Sequence, residues 1–298
     1  MDPISYYKRR SVAEEISSYC RRRWVAVHST LGSRLVFTRY LRVGKTKVPI
    51  TISSPEDLAT LVEKLNARSV YATIHEYHAL AREEDTAPLS NIARSAPVWD
   101  IDSTPSLYKA TLEAARAVVD ELERLGVVKS VFLKWSGRGV HVHLNPLAFS
   151  RELLRKIHPA DIAYSIVEYV KLRVESRIHE LSKRYEARGL RVENKIDLQR
   201  VFTAPLSLHR LLDFCCICFT PDDIDSFELS WALPKEYRHD RRWKTRYVEG
   251  EADHLAKRAY EVVGGMPYPK ARRRRKTPKL DEMIKRALRE LTGSQLPF

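Results

Sequence analysis

Apolar residues recur along most of the chain at the spacings of helices and strands. In the first 20 residues they follow a helical period. Segments that alternate apolar and polar residues predict strands at 34–41, 47–53 and 69–77. Ser54 and Pro55 are the N-cap and first residue of a helix between the last two strands, and residues 82–95 are predicted as a loop. The pattern predicts an N-terminal α/β unit over residues 1–95.

The middle of the chain predicts four strands and two helices in a β-α-β-β-α-β order. These elements are strand 96–102, a helix from Pro105 to Gly126 with Thr104 as its N-cap, strand 127–135, strand 140–144, helix 159–184 and strand 196–202. Because only residues 136–139 separate the second and third strands, those two are expected to pair antiparallel. The order is that of a split βαβ unit, as in ferredoxin-like and RNA-recognition-motif-like domains.

The charge of the chain points to a polyanionic partner. Of its 298 residues, 44% are hydrophobic, which supports a folded core, and the formal net charge is +14. Such a charge attracts nucleic acid, although a soluble protein with excess surface arginine has the same composition. The sequence contains no apolar run of membrane-spanning length, and its polar start lacks a signal core. A cytoplasmic, nucleoid-associated protein without a membrane partner is therefore expected.

Half of the net positive charge lies at the end of the sequence. Residues 266–298 contain ten Lys or Arg against three acids, a net of +7 out of +14. The predicted DNA-binding residues there are Arg272, Arg273, Arg274, Arg275 and Lys276. A short amphipathic helix is expected at 280–291. The remaining residues, 1–265, are predicted to form one domain whose chemistry-bearing motifs lie in 96–240.

The cysteines predict a buried strand and no metal site. Cys215, Cys216 and Cys218 lie in the apolar run 211–219, where small thiols pack as apolar groups and stay reduced. A zinc site would need further ligands from elsewhere, so no zinc is expected.

Carboxylates at the end of one strand are candidates for metal binding. Asp100 and Asp102 lie two residues apart, which places both carboxylates on the same face of the strand. Two such charges repel each other unless a cation lies between them, and Mg²⁺ or Mn²⁺ prefers oxygen ligands. Asp197, near a later predicted strand, would supply a third carboxylate for a two-metal site. The alternative is an acid pair at a loop edge that caps the next helix.

The segment SGRGVHVH, residues 136–143, predicts a turn suited to anions. Its glycines expose backbone N–H groups, and its arginine adds a forked donor for phosphate; the turn residues are Ser136, Gly137 and Arg138. His141 and His143 share one face of the following strand. Arg200, His209 and Arg210 occur later and could also hold phosphates. An ordinary polar hairpin and a His-x-His zinc pair are the alternatives.

Three motifs occur in order along the chain. They are Trp99-Asp100-Ile101-Asp102, then Ser136-Gly-Arg-Gly-Val-His141, then Asp197-Leu-Gln-Arg200 continuing to Pro205-Leu-Ser207-Leu-His209. Together they resemble the motifs of the archaeo-eukaryotic primase superfamily, especially the small catalytic subunit of archaeal and eukaryotic primases. With a weaker match at Arg23 and Trp24, the resemblance spans residues 20–235. It implies an α/β (α+β) fold, a primase-polymerase core with an RNA-recognition-motif-like split βαβ sheet plus the N-terminal α/β unit.

The resemblance also implies a function, which is template-directed synthesis of short RNA or DNA chains from nucleoside triphosphates with Mg²⁺ or Mn²⁺. By matching positions, Asp100, Asp102 and Asp197 would bind the metals. The nucleotide would contact Ser136, Gly137, Arg138, His141, Arg200 and His209. The partners it implies are a single-stranded or primed DNA template and nucleoside triphosphates, and it allows a primase large subunit or another replication protein.

Three departures separate this chain from the family pattern. The glycine turn is one residue shorter, so either His141 or His143 would take the phosphate role. Residues 103–135 contain no Cys or His, so the zinc-binding insert of many replicative members is absent. Thr203 stands where primase small subunits often have a second Arg. A divergent member is expected, such as a stand-alone or mobile-element primase-polymerase.

Three other functions remain open. An end-joining-type repair polymerase would share these motifs and add a pocket for the 5′-phosphate at a break. A non-catalytic nucleic-acid-binding subunit on the same fold would have no use for three acids that repel one another. A metal-dependent nuclease would use the acids but would not need a glycine turn suited to a triphosphate.

The segregated charge generates a prediction for DNA binding. Deleting residues 270–298 should lower the affinity for single-stranded DNA and leave turnover at saturating template little changed. If four or five of the deleted charges contact phosphates, the slope of log affinity against log salt should become shallower by about 3. Salt titrations of the full-length and truncated chains measure this. An unchanged slope, or a truncated chain that melts much earlier, would assign the segment a structural role instead.

Overall fold

The computed structural model describes residues 1–31 and 34–268 of the chain. Its helices are α1 (Pro3–Tyr7), α2 (Arg10–Cys20), α3 (Pro55–Leu65), α4 (Tyr108–Arg124), α5 (Arg151–Lys156), α6 (Pro159–Arg184) and α7 (Asp253–Val263). Its strands are β1 (Val25–Leu31), β2 (Arg34–Thr38), β3 (Tyr40–Val43), β4 (Thr46–Pro49), β5 (Ala67–Thr73), β6 (His75–Tyr77), β7 (Ile92–Ser95), β8 (Val98–Asp102), β9 (Val131–Trp135), β10 (Gly139–Leu144), β11 (Arg191–Glu193), β12 (Val201–Thr203) and β13 (Ile217–Phe219). The basic run 272–276 and the expected helix 280–291 lie outside the described residues. Residues 1–266 form one compact unit.

The larger sheet contains the predicted split βαβ unit. Its spatial order is β11-β8-β10-β9-β13, and every neighbouring pair is antiparallel. Strands β8, β9, β10 and β11, with α4 and α6 as the connecting helices, lie in the spatial order β11-β8-β10-β9. This is the order expected for a ferredoxin-like unit. Helix α6 has the predicted bounds of 159–184, and the short turn pairs β9 with β10 as expected. The predicted fold class is therefore present in this half of the chain.

The fourth strand of that unit differs from the prediction. It is β11, and the predicted strand 196–202 is not part of this sheet. Asn194 ends β11, since its side-chain oxygen accepts a hydrogen bond from the Ile196 N–H at 3.2 Å and turns the chain. The chain then crosses to the second sheet, where β12 pairs with β5.

The second sheet has the order β12-β5-β1-β2 and carries the N-terminal helices. The single helix predicted for the first 20 residues is two helices, because Arg9 has an extended backbone and is the N-cap of α2. The Tyr6 hydroxyl donates to the Leu206 carbonyl at 2.9 Å, which ties α1 to the segment after β12. The predicted loop 82–95 is also partly wrong, because its last residues form β7 and pair with β6.

The two faces of the larger sheet differ in chemistry. On one face Trp99 is fully buried, and its indole N–H donates to the Val167 carbonyl of α6 at 3.1 Å. On the other face the buried Lys134 donates to the Tyr19 hydroxyl at 3.1 Å and to the Thr203 carbonyl at 2.9 Å. The apolar face therefore packs on helices, while the polar face meets α2 and the second sheet.

The cysteine run forms the expected buried strand. Cys215, Cys216 and Cys218 are fully buried at or beside β13. Burial raises the pKa of the Cys216 thiol to about 11, so the thiol stays protonated. Among the described residues, no helix has both the length and the apolar character needed to cross a membrane.

Candidate active site

Three carboxylates meet on the polar face of the larger sheet. Asp100 and Asp102 extend from β8, and Glu193 on β11 lies directly opposite Asp100 in the strand register. Oxygen atoms of these three side chains lie within 4.8 Å of one another. Asp100 is buried, whereas Asp102 has 46% of its side chain exposed. We call this group the carboxylate cluster; it is accessible from the side of Asp102.

A lysine ammonium lies at the centre of the carboxylate cluster. The Nζ atom of Lys195 is 2.6 Å from Asp100 Oδ2, 2.9 Å from Glu193 Oε2 and 3.1 Å from Asp102 Oδ2. Arg191 adds a second cation, with its Nε 3.1 Å from the same Glu193 oxygen. The cluster therefore binds positive charge in this structure.

His141 contacts Oδ1 of Asp100, the carboxylate oxygen that Lys195 does not contact. It lies opposite Asp100 on β10, and its Nε2 is 3.1 Å from Asp100 Oδ1. Burial raises the pKa of Asp100, but hydrogen bonds and charge from His141 and Lys195 outweigh that effect and hold the pKa well below its usual range. Burial likewise raises the pKa of Glu193, and Lys195 with Arg191 lowers it overall. Both groups are therefore carboxylates at neutral pH.

The two histidines of β10 have different surroundings. His143 is fully buried and stacks on Phe132, with ring centroids 4.9 Å apart and an angle of 14° between the planes. Burial lowers the pKa of His143 well below its usual range, so its ring is neutral. Of the two, His141 is the one that contacts the carboxylate cluster.

The glycine turn between β9 and β10 requires its glycines. Gly137 has a φ of +108°, and a Cβ there would lie 2.8 Å from Cδ2 of His209. A Cβ on Gly139 would lie 2.3 Å from the Ile101 carbonyl oxygen and 2.7 Å from Asp102 Oδ1. The Ser136 N–H donates to the Gly139 carbonyl at 2.9 Å and closes the turn. The turn is therefore packed tightly against both Asp102 and His209.

A cleft of about 530 Å³ lies beside the carboxylate cluster. That volume lies within the range of small-molecule sites. Its polar lining comes from Asp102, Ser103, Ser136, Arg138, Arg200, His209 and Arg210. The rings of His28, Phe37 and Tyr71 line the cleft as well. The centroid of the His28 ring lies 4.8 Å from that of Phe37 and 5.2 Å from that of Tyr71. The cleft thus combines guanidinium groups, a glycine turn and aromatic rings next to the acids.

His209 is a neutral hydrogen-bond donor in this cleft. Burial lowers its pKa to about 4, with further lowering by the charges of Arg138 and Arg210. Its Nδ1 accepts the backbone N–H groups of Leu211 at 3.1 Å and Leu212 at 2.9 Å. The proton of the neutral ring is therefore on Nε2.

Asp197 lies outside the carboxylate cluster. It is in the segment that crosses between the sheets, and 58% of its side chain is exposed. Its Oδ1 accepts the Gln199 N–H at 2.7 Å, and its Oδ2 is 3.9 Å from Arg200 Nε. The structure brings together Asp100, Asp102 and His141, and the adjacent cleft is lined by Ser136, Arg138, Arg200 and His209, with Gly137 packed against His209. Sequence reasoning missed Glu193 and Lys195, because a three-residue strand is too short to show a period.

The fold matches a solved structure titled as the polymerase domain of ligase D from Mycobacterium tuberculosis in complex with DNA. The two chains are 17% identical, the match covers 89% of each, and the TM-score is 0.54. No protein-family model matches the sequence, and no curated protein does. At this identity the likeness establishes the fold alone, so the expected mixed α/β fold is confirmed.

The glycine contacts predict a selective loss of stability. Gly139→Ala should lower the free energy of unfolding by about 1–3 kcal/mol, because its Cβ must displace strand β8. Gly189→Ala is the matched control, since a Cβ at Gly189 meets no atom within 4 Å. The control should stay within about 0.5 kcal/mol of wild type. Urea unfolding of the three proteins measures both, and equal stability of the two variants would contradict the turn geometry.

Proposed function

We propose that this chain is a template-directed nucleotidyltransferase, a DNA primase or primase-polymerase. It would make or extend short chains from nucleoside triphosphates by two-metal phosphoryl transfer. The observation that carries this proposal is the position of the carboxylate cluster at one side of a cleft lined by arginines and a glycine turn. Phosphoryl transfer needs metal ligands and phosphate donors next to each other, and this cleft offers both.

The chain's acids fit a pair of divalent cations. Asp100, Asp102 and Glu193 supply carboxylate oxygens, which Mg²⁺ and Mn²⁺ prefer. The side-chain ammonium of Lys195 lies among these oxygens and offsets their negative charge. When bound, the metals would activate the attacking hydroxyl and neutralise charge that develops on the phosphoryl group. In this proposal Glu193 takes the third ligand position that sequence reasoning gave to Asp197. His141 holds Asp100 in place through its Nε2–H.

The cleft residues would bind the nucleotide. Arg138 and Arg200 are cations that can pair with phosphate oxygens, and the His209 Nε2–H is a neutral donor beside them. The Ser136 hydroxyl donates to the Gly139 carbonyl at 3.2 Å in this structure and would turn to a phosphate on binding. The aromatic group of Phe37, His28 and Tyr71 provides ring faces on which a base can stack. The residues thus divide into donors for the phosphates and ring faces for the base.

A DNA template is the proposed partner. The net charge of +14 favours a polyanion, and the similar structure from ligase D is a DNA complex. The role of Arg272 to Lys276 in DNA binding stays a prediction, as does a primase large subunit or other replication protein.

An end-joining-type repair polymerase is the second candidate. A separate cavity of about 170 Å³ is lined by Arg21, Arg23 and Lys244, which is the chemistry a 5′-phosphate would need. Two of these cations already have partners, since Arg23 pairs with Glu76 at 2.9 Å and Lys244 with Glu15 at 2.8 Å. A phosphate would have to compete with those carboxylates, which makes this the weaker candidate.

Labelled nucleotides on single-stranded DNA, with and without a primer, test the proposal. Incorporation that follows the template sequence and needs Mg²⁺ or Mn²⁺ is expected. Metal-dependent degradation of the template would identify a nuclease, and DNA binding without incorporation would identify a non-catalytic subunit.

Gapped DNA with and without a 5′-phosphate separates the two candidates. An end-joining polymerase should extend the phosphorylated gap about tenfold more efficiently, the effect of one charge-assisted contact. Equal extension of both gaps is the result expected for a primase-polymerase.

The proposal that Glu193 is the third metal ligand in place of Asp197 leads to a further prediction. Glu193→Gln should lower incorporation about 100-fold or more, because it removes a metal ligand. Asp197→Asn should lower it less than about fivefold, because an exposed carboxylate beside an arginine contributes little. Incorporation rates of both variants at saturating metal and nucleotide measure this, with thermal melting as the control for folding. A larger defect in Asp197→Asn than in Glu193→Gln would indicate that Asp197 is the third metal ligand.

A further inference from the structure

Lys195 occupies the position in the carboxylate cluster where a metal would bind. Its Nζ contacts one oxygen of each carboxylate, at distances of 2.6, 2.9 and 3.1 Å. The side chain is mostly buried, with 22% exposed. All three strong contacts of this ammonium are thus with the groups proposed as metal ligands.

An ammonium and a divalent cation would compete for these oxygens. Mg²⁺ binds carboxylate oxygens at about 2.0–2.1 Å, well inside the distances at which Nζ now lies. A metal held by Asp100 Oδ2 and Asp102 Oδ2 would therefore lie within a few ångströms of the Lys195 charge, and like charges that close repel strongly. Metal binding therefore disfavours the present position of Nζ.

The surroundings of Lys195 allow the ammonium to leave. Asn194 anchors the backbone just before it, with its amide nitrogen donating to the Tyr164 carbonyl and to Glu168 Oε2, both at 3.1 Å. The flexible four-carbon stem of lysine can then swing out while β11 and Glu193 stay in place. The ligands would remain ordered while the competing charge moves away.

We propose that Lys195 is a tethered competing cation. It neutralises the carboxylate cluster when no metal is present, leaves when metal binds, and thereby sets how tightly the chain binds divalent cations. This inference rests on the metal site of the proposed function. The alternative is a permanent salt bridge that holds β8 and β11 together whether or not metal is present.

Titration of the full chain with Mn²⁺ alone, following free Mn²⁺ by electron paramagnetic resonance, distinguishes the two. Lys195→Met should bind Mn²⁺ about 10- to 100-fold more tightly than wild type, the range by which groups around a metal site change its affinity. Lys195→Arg, which keeps the charge, should bind as weakly as wild type. Lys156→Met is the control, because Lys156 pairs with Glu152 at 2.6 Å on α5, outside the carboxylate cluster and apart from the contacts of Asn194.

A second measurement needs no variant. Amine-reactive labelling of the wild-type chain, read by mass spectrometry, should modify Lys195 slowly without metal and severalfold faster with saturating Mg²⁺. Lys156 should be labelled at the same rate in both conditions. This result would support the inference even if Lys195→Met failed to fold.

The outcomes separate this inference from the proposed function. Mn²⁺ binding of equal or lower affinity in Lys195→Met, or labelling of Lys195 that metal does not change, would overturn the tethered cation while the metal site stands. Failure of wild type and all variants to bind Mn²⁺ would overturn the metal site itself, and with it the proposed function and this inference.

Discussion

The burial of the Asp100 carboxylate is the constraint around which the polar half of this fold is arranged. An ionised carboxylate out of water is costly unless it is paired and hydrogen-bonded. Asp100 lies on an inner strand, with β10 on one side and β11 on the other. The first supplies His141 to one of its oxygens, and the turn after the second supplies Lys195 to the other. Both neighbours are therefore needed to keep this charge in the interior.

The same requirement accounts for the tight turn and the second sheet. Gly139 lets the start of β10 lie against Asp102 without a side chain between them. Further along the polar face, the buried Lys134 finds its acceptors in α2 and at the Thr203 carbonyl of β12. Thr203 thus contributes its backbone to this contact. The second sheet satisfies polar groups that the larger sheet cannot satisfy alone.

The sequence predicted those parts of the site that depend on local spacing. Period two placed Asp100 and Asp102 on one face. The β-α-β-β order placed the strand of His141 beside them, because the third strand of a split βαβ unit pairs with the first. Glu193 was not predictable in this way, since β11 has three residues and pairs with a strand about ninety residues earlier. Asp197 was favoured by its motif, and its exposed position depends on the turn at Asn194. Asn194 is itself held by the Tyr164 carbonyl and by Glu168 on α6, and such contacts between residues distant in the chain are encoded by no local pattern.

The formal charges connect metal and nucleotide binding in the proposed function. The carboxylate cluster carries three negative charges, which Lys195 and Arg191 partly offset, and the adjacent cleft carries the guanidinium groups of Arg138, Arg200 and Arg210. Two divalent cations alone would add four positive charges next to those guanidiniums, while a triphosphate alone would approach three carboxylates. Each unfavourable approach is relieved when the other ligand is present, because opposite charges then lie closest. An anionic nucleotide that arrives with its metal therefore suits this site better than either component alone, and in our proposal Lys195 balances the cluster until metal binds.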